Sequence, residues 1–197
     1  EILSEKVGHL NLGVEGMMFM GAISGLAGSY FYEQAVLSSG GTPSGVISAV
    51  IALITSMLAG MLGALIYSFL TISLRANQNV TGLALAIFGT GAGQFIGEYM
   101  RVTSGGYVAI SNELKAVFQG SPFPAALQSI PVAGPLLFSY NIFVYLGVAI
   151  AVAMAFFFNK SRPGLHLRAV GESPATADAA GINVTKYKYL STVIGGG

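Results

Sequence analysis

The sequence predicts an all-α protein, a polytopic bundle of transmembrane helices. Hydrophobic residues make up 53% of the 197 residues and charged residues only 9%, whereas about 25% of the residues in a typical soluble domain are charged. Charged residues are also absent from the long stretches 34–74 and 116–159. A bilayer core needs about 20 apolar residues per helix, so these stretches are long enough to span a membrane.

The apolar runs predict about four complete spans and the start of a fifth. We place the complete spans at 12–32, 44–70, 80–98 and 134–158, and the fifth begins near residue 189. The sequence starts without an initiator methionine and stops as an apolar segment begins. We therefore expect residues 1–197 to form a single transmembrane domain that is an incomplete piece of a longer chain.

Two polar loops between the spans predict the orientation of the bundle. Residues 99–133 form one loop, in which 111–118 read as a short amphipathic helix. Residues 159–188 form the other loop and hold five of the nine lysines and arginines. The positive-inside rule places 159–188 in the cytoplasm. Alternation of the spans then places 99–133 outside the cell and both Lys6 and Arg75 inside.

The spacing of small residues predicts close helix packing. The chain has 27 glycines, and small residues recur four apart in several pairs: Gly21 and Gly25, Ala59 and Gly63, Gly60 and Ala64, Gly89 and Gly93, and Gly93 and Gly97. Small residues at this spacing let helix backbones approach closely in lipid, where packing drives association. We expect the helices to pack against one another or against a second subunit.

Two polar clusters at the edges of apolar runs are candidates for a substrate path. Their members are Asn11, Glu15, Asn77, Asn79 and Thr81. A carboxylate at membrane depth is costly and usually faces a cavity or a partner, whereas the amides and the hydroxyl offer donors and acceptors to a neutral ligand. Two alternatives stay open: Glu15 lies at the membrane interface near a helix N-terminus, and residues 75–81 form a cytoplasmic turn capped by Asn79.

The sequence contains no pattern that is typical of catalysis or metal binding. It has no Ser/His/Asp set, no paired carboxylates at a useful spacing and no phosphate-binding loop. Cysteine is absent, and the two histidines are far apart in the sequence. The net charge of +1 gives no nucleic-acid footprint. We therefore expect a transport subunit that is not an enzyme, with no metal site, and any energy source must come from another chain.

Residues 173–181 predict a short, capped helix. Ser173 is a natural N-cap because its side-chain oxygen can accept a free backbone N–H. Pro174 suits the first helical position, and Gly181 suits the left-handed position that ends a helix. A helix of about seven residues is roughly 10 Å long and marginal in water on its own. Such a helix is either suited to a groove on another protein or a simple connector.

Three segments resemble a known transporter family. GLHLRAVGESPATADAAGINVTKYKYLSTVIGGG (164–197) closely resembles the cytoplasmic loop of the sugar and nucleoside branch of bacterial ABC importer permeases, a branch that includes ribose-type permeases. EKVGHLNLGVEGMMFMGA (5–22) and LRANQNVTGLALAIFGTG (74–91) resemble segments of the nucleoside-type, basic membrane protein-associated members. The resemblance runs from Lys6 to the end of the chain, with the loop 99–133 left unmatched.

The resemblance implies that the cytoplasmic loop couples the permease to an ATPase. In the family this loop docks into a cleft of the cytoplasmic ATP-binding subunit, so Ser173 to Gly181 would be the coupling helix. The residues implied in the contact are Arg168, Gly171, Glu172, Ser173, Pro174, Ala177 and Gly181. ATP and magnesium would be bound by the partner ATPase, and no cofactor would be bound by this chain.

The resemblance further implies a permease subunit of an ATP-driven importer in the bacterial inner membrane. NLGVEG and RANQNVTG are more similar to nucleoside-type than to ribose-type members, so nucleosides are favoured over simple sugars. The implied partners are the ATPase, a second permease chain, identical or different, an extracytoplasmic substrate-binding lipoprotein and membrane lipid. The alternatives are a ribose-type sugar permease, a branched-chain amino-acid permease, an ion-driven secondary transporter and a purely structural membrane subunit.

Overall fold

A computed structural model describes residues 2–106, 108, 110–121, 123–124 and 138–197. Within these residues the regular structure is helical and no strand occurs, which confirms the predicted all-α class. The helices are α1 (Ile2–Glu5), α2 (Val14–Ser38), α3 (Gly45–Ser68), α4 (Gln78–Thr103), α5 (Asn112–Gln119), α6 (Ile142–Lys160), α7 (Arg162–Glu172), α8 (Pro174–Ala179) and α9 (Val184–Gly196). A π-helical turn, Phe69–Ser73, extends α3.

Three of the described helices are long and apolar enough to cross a membrane. They are α3 with its π-helical turn, α4 and α6. Helix α2 has 25 residues, which is long enough for a span at 1.5 Å per residue, but no 18-residue stretch of it is as apolar as the stretches in those three helices. The predicted membrane bundle is thus confirmed, whereas the first predicted span meets the requirement for length and not that for apolarity.

Several boundaries differ from the sequence-based spans because polar side chains begin the helices. Asn141 accepts a hydrogen bond from Val144 N at 3.2 Å and begins α6. Residues 134–137 of the predicted span 134–158 lie outside the described residues. Asn183 accepts from Lys186 N at 2.9 Å, so α9 begins well before the predicted residue 189.

Helix α7 lies within a segment that the sequence analysis treated as a loop. Ser161 ends α6 and begins α7, and its hydroxyl oxygen accepts from Gly164 N at 3.1 Å. Pro163 lies in the first turn of α7, where its missing N–H costs nothing. The loop 159–188, which the sequence analysis placed in the cytoplasm, is therefore largely helical. A serine followed two residues later by proline was the signal for this helix.

The small-residue pairs bring α2 between α3 and α4. A Cβ atom built on Gly89 of α4 would lie 2.6 Å from the Cα atom of Gly16. One built on Gly25 of α2 would lie 3.1 Å from the carbonyl oxygen of Ala52 on α3. The predicted close packing is therefore confirmed within a single chain, since larger side chains at these positions would push the backbones apart.

Hydrogen bonds assign the connecting segments to two ends of the bundle. At one end, Leu10 O accepts from the Tyr67 hydroxyl at 2.7 Å and Leu10 N donates to Gln78 Oε1 at 3.1 Å. At the other end, Glu33 accepts from Ser111. The N-terminus and the α3–α4 connection thus share one end, as the alternation of spans predicts. The assignment of this end to the cytoplasm stays a prediction from positive charge.

A buried carboxylate, which the sequence analysis did not single out, fastens α5 to the bundle. Glu33 is only 5% exposed. Its Oε1 atom accepts from the Ser111 hydroxyl at 2.7 Å and from the Ser48 hydroxyl at 3.3 Å, and its Oε2 atom accepts from Ser111 N at 3.0 Å. Ser111 also caps α5 by accepting from Leu114 N at 3.3 Å. The predicted amphipathic helix is confirmed, and Glu33 joins it to α2 and α3.

Candidate functional site

The predicted coupling helix is present as α8, but its N-terminus differs from the prediction. The helix spans Pro174–Ala179, and Gly181 has a φ of 82°, the left-handed conformation expected after a helix end. Ser173 lies at the N-cap position, yet its side chain makes no capping hydrogen bond. Its hydroxyl instead pairs with that of Thr176 at 2.8 Å. The expectation that the Ser173 side chain caps α8 is therefore wrong, because its hydroxyl is paired with the Thr176 hydroxyl and not with a backbone N–H.

The inner face of α8 packs on the protein. Ala177 is 4% exposed and belongs to a hydrophobic cluster with Val7, Phe158, Leu167 and Val170. A methyl group covers little area, so this contact stabilises α8 only together with its larger neighbours. Ala177 therefore points into the chain, and its inclusion among the partner contacts needs correction: it positions α8 and is not available to a docking protein.

The glycine that precedes α8 is also in close internal contact. A Cβ atom on Gly171 would lie 2.9 Å from the carbonyl carbon of Lys6 and 3.3 Å from the Cα atom of Val7. Both atoms belong to the backbone, so no side-chain rotation could make room. Gly171 is thus the residue that lets the N-terminal segment lie directly against the end of α7.

The outer face of the loop carries the remaining predicted contacts. Arg168, Glu172, Pro174 and Gly181 are exposed, and Ser173 is partly buried. Asp178, which the prediction did not include, is exposed on the same short helix. The surface open to a partner is therefore small, smooth at its centre and charged at its margins.

The two polar clusters of the predicted substrate path lie against each other. A Cβ atom on Gly82 would lie 2.9 Å from Leu12 N and 3.0 Å from Gly13 N, so the start of α4 packs on the chain that leads into α2. Thr81 is buried at this contact. Glycine makes the approach possible, and no sequence spacing within one helix would have indicated it.

Asn11 is the path candidate that lies in a cavity. It is 2% exposed, and its Oδ1 atom accepts from Gly13 N at 3.0 Å. Together with Ser4 and Ser56 it lines a cavity of about 340 Å³ between α2, α3 and α9. Glu15, in the first turn of α2, is exposed.

Asn77 and Asn79 have local structural positions at the start of α4. Asn77 Oδ1 accepts from Asn79 N at 3.0 Å and from Val80 N at 3.2 Å. The expectation that Asn79 caps this turn is wrong, because Asn77 is the N-cap and Asn79 supplies one of its donors. Both side chains are exposed.

Replacing Asn77 with alanine should destabilise the protein by about 1 kcal/mol, since a helix loses its cap. Asn77→Ser should retain most of that stability because a serine hydroxyl also caps well. Thermal unfolding of the purified variants would measure both effects. If Asn77→Ser lowers solute uptake while stability is unchanged, Asn77 contributes to the path and is more than a cap.

A second cavity, which the sequence analysis did not predict, lies between α2, α3 and α5. Its volume is about 370 Å³. Apolar side chains such as Leu26, Leu53 and Phe118 form most of its wall, and Lys115 and Gln119 of α5 contribute polar groups. The cavity is placed at the end of the bundle where Glu33 holds α5.

Comparison with known proteins identifies the family. One family matches over residues 1–197 and is described as the permease component of the branched-chain amino acid transport system. The chain belongs to this permease family. No solved structure matches it.

Relatives of this chain include permeases named for sugars and nucleosides. The putative glucose ABC transporter permease protein of Haloferax volcanii is 36% identical over 100% of this chain and 54% of its own length. The guanosine ABC transporter permease protein of Bacillus subtilis is 33% identical over 99% of this chain and 57% of its own length. The nucleoside ABC transporter permease protein of Lactococcus lactis is 29% identical over 99% of this chain and 58% of its own length. The chain thus spans a little over half of each relative.

These matches confirm the resemblance to the sugar and nucleoside branch of ABC permeases. They also confirm a membrane location, since the family consists of integral membrane permeases and the chain has apolar helices of spanning length. The family is one of transport permeases.

Proposed function

We propose that this chain is part of the permease subunit of an ATP-driven importer for nucleosides or simple sugars. The observation that carries the proposal is the combination of a match over the whole chain to sugar and nucleoside ABC permeases with a short, exposed helix on a basic loop. A glucose permease and a guanosine permease match at 36% and 33% identity. The favoured ligand stays a nucleoside, on the segments that resemble nucleoside-type members.

The proposed mechanism assigns the chemistry of ATP to a partner. Two permease chains, identical or different, form the path, and an extracytoplasmic lipoprotein delivers the solute to it. Two ATPase subunits bind ATP and magnesium and hold the exposed outer face of α8. Their closure and opening move α8 and thereby switch the path between inward and outward access. Asn11, Glu15, Asn77, Asn79 and Thr81 stay the proposed path residues, and Asn11 has the strongest support because it lines a cavity.

An ion-driven transporter is less well supported. Such a transporter needs ionisable side chains near the middle of the membrane. Helices α3 and α6 carry none in their central parts. Branched-chain amino acids, named in the family description, are a further candidate solute, and competition during uptake separates them from sugars and nucleosides.

Reversing the charge of Glu172 in the full-length protein should reduce co-purification of the ATPase by about tenfold, which corresponds to about 1.4 kcal/mol. Glu172 is exposed at the end of α7, directly before α8. Affinity purification of the tagged permease with its co-expressed ATPase would measure the effect.

Glu113→Arg is the matched control, because Glu113 is also exposed but lies on α5 at the other end of the bundle. Equal recovery of the ATPase with both variants would show that α8 is not the docking helix. Failure of the unaltered protein to retain the ATPase would overturn the proposal of an ATP-driven importer.

A further inference from the structure

The chain that precedes α2, residues 2–13, contacts both the coupling loop and the membrane helices. We call it the N-terminal segment. It consists of α1, a turn and an irregular link into α2. The contacts at its two ends differ in kind, and together they connect α8 to the helices around the Asn11 cavity.

At the loop end, the N-terminal segment packs against α7 and the coupling helix, α8. Val7 is 1% exposed and packs in one cluster with Leu167 of α7 and Ala177 of α8. The Lys6–Val7 backbone lies against Gly171 so closely that a Cβ atom there would be 2.9 Å from Lys6 C. A displacement of α8 towards this cluster must therefore move Val7, because close-packed interiors transmit strain and do not absorb it.

One side chain in the middle of the N-terminal segment, that of His9, is sealed from water. His9 is 2% exposed, and burial, followed by the charge of Lys188, lowers the pKa of its imidazole to about 4. The ring is therefore neutral at physiological pH. Neither ring nitrogen has a hydrogen-bond partner among the described residues, so His9 contributes to this region as a packed ring.

At the membrane end, the N-terminal segment is hydrogen-bonded to two helices. Leu10 O accepts from the hydroxyl of Tyr67 on α3, a side chain with 0% exposure. Leu10 N donates to Gln78, the first residue of α4. Gly13 then packs on Gly82, where a Cβ atom would lie 3.0 Å from Gly13 N. Movement of residues 10–13 is thereby coupled to α3 and α4.

We infer that the N-terminal segment transmits displacement of the coupling helix to α3 and α4, with Val7 and Gly171 at its input and the Tyr67–Leu10 hydrogen bond at its output. This inference rests on the proposed function, because it requires an ATPase that moves α8. Rigid elements with packed contacts at both ends shift as units between discrete positions. Tyr67 is then a positioning residue for transport, although it lies away from the docking surface.

Tyr67→Phe removes only the hydroxyl that bonds Leu10. In the full-length permease assembled with its ATPase, we expect the ATPase to co-purify as before and to hydrolyse ATP at a rate close to that of the unaltered complex. The amount of solute taken up per ATP hydrolysed should fall about fivefold. Labelled guanosine and labelled glucose are the two probes, in vesicles that contain the purified complex and the binding protein. A purely structural role would lower the amount of complex and leave the ratio of uptake to hydrolysis intact.

Tyr99→Phe is the matched control, since Tyr99 is 65% exposed on α4, and it should leave that ratio unchanged. A second pair tests the other end: Gly171→Ala should also lower the ratio, whereas Gly91→Ala, with nothing within 4 Å of its Cβ position, should not. An unchanged ratio in Tyr67→Phe overturns the inference and leaves the importer standing. Absence of the ATPase from the unaltered complex overturns the proposed function and the inference with it.

Discussion

Gly89→Leu is expected to prevent formation of the folded helix bundle. A Cβ atom on Gly89 would lie 2.6 Å from both Gly16 C and Gly16 Cα. These atoms belong to the backbone of α2, so the side chain can be accommodated only if α2 and α4 separate. Overpacking typically costs 1–3 kcal/mol, and we expect more than about 3 kcal/mol here because backbone cannot rotate away. The yield of monodisperse protein and its unfolding temperature in detergent would measure the loss.

Gly91→Leu provides a control on the same helix. Gly91 is exposed, and no atom lies within 4 Å of its Cβ position. Leucine also has a better helix propensity than glycine, by close to 1 kcal/mol. We therefore expect Gly91→Leu to fold as well as the unaltered protein or better. Equal loss of folded protein in both variants would show that the α2–α4 crossing is not the cause.

Glu33→Ala is expected to destabilise the protein by about 3 kcal/mol or more and to release α5. Removing the carboxylate leaves the amide and hydroxyl of Ser111 and the hydroxyl of Ser48 without their acceptor. Each buried donor left without a partner costs about 1–3 kcal/mol. Glu33→Gln, which keeps one acceptor oxygen, should lose less. Unfolding temperature and proteolysis within 99–124 would report stability and release of α5.

Glu113→Ala is the control for Glu33, because Glu113 is exposed in the first turn of α5. Its loss removes only a favourable interaction with the helix dipole, worth a few tenths of a kcal/mol up to about 1 kcal/mol. If Glu33→Ala were no less stable than Glu113→Ala, the buried carboxylate would not be what holds α5 in place.

The elements that the sequence predicted well are those governed by local physics. The apolar runs predicted α3 and α4 because membrane helices depend mainly on the length and apolarity of one segment. Pro174 and Gly181 predicted α8 because each residue's backbone preference suits one helix end. The glycine pairs predicted close packing, although which helix each pair faces follows only from the fold.

The features that sequence reasoning missed depend on contacts between distant residues. Glu33 and Ser111 are 78 positions apart, and nothing in either local pattern indicates their pairing. Ala177 was assigned to the docking surface because it lies in the segment that resembles the family's coupling helix, whereas the fold buries it in one cluster with Val7. The contacts that residues 6–13 make were likewise not indicated by the sequence, since their partners lie on α3, α4 and α7. Chain topology, and not local pattern, determines these contacts.

The central claim is that the full-length protein belongs to an ATP-driven importer of nucleosides or simple sugars. Uptake of labelled guanosine tests this claim most directly, in cells that carry the full-length gene with its neighbouring ATPase and binding-protein genes. Unlabelled nucleosides, ribose, glucose and leucine serve as competitors. We predict ATP-dependent uptake that other nucleosides block and leucine does not. If ribose or glucose blocks uptake instead, the transported solute is a simple sugar. Uptake that persists without ATP, or competition by leucine alone, would contradict the claim.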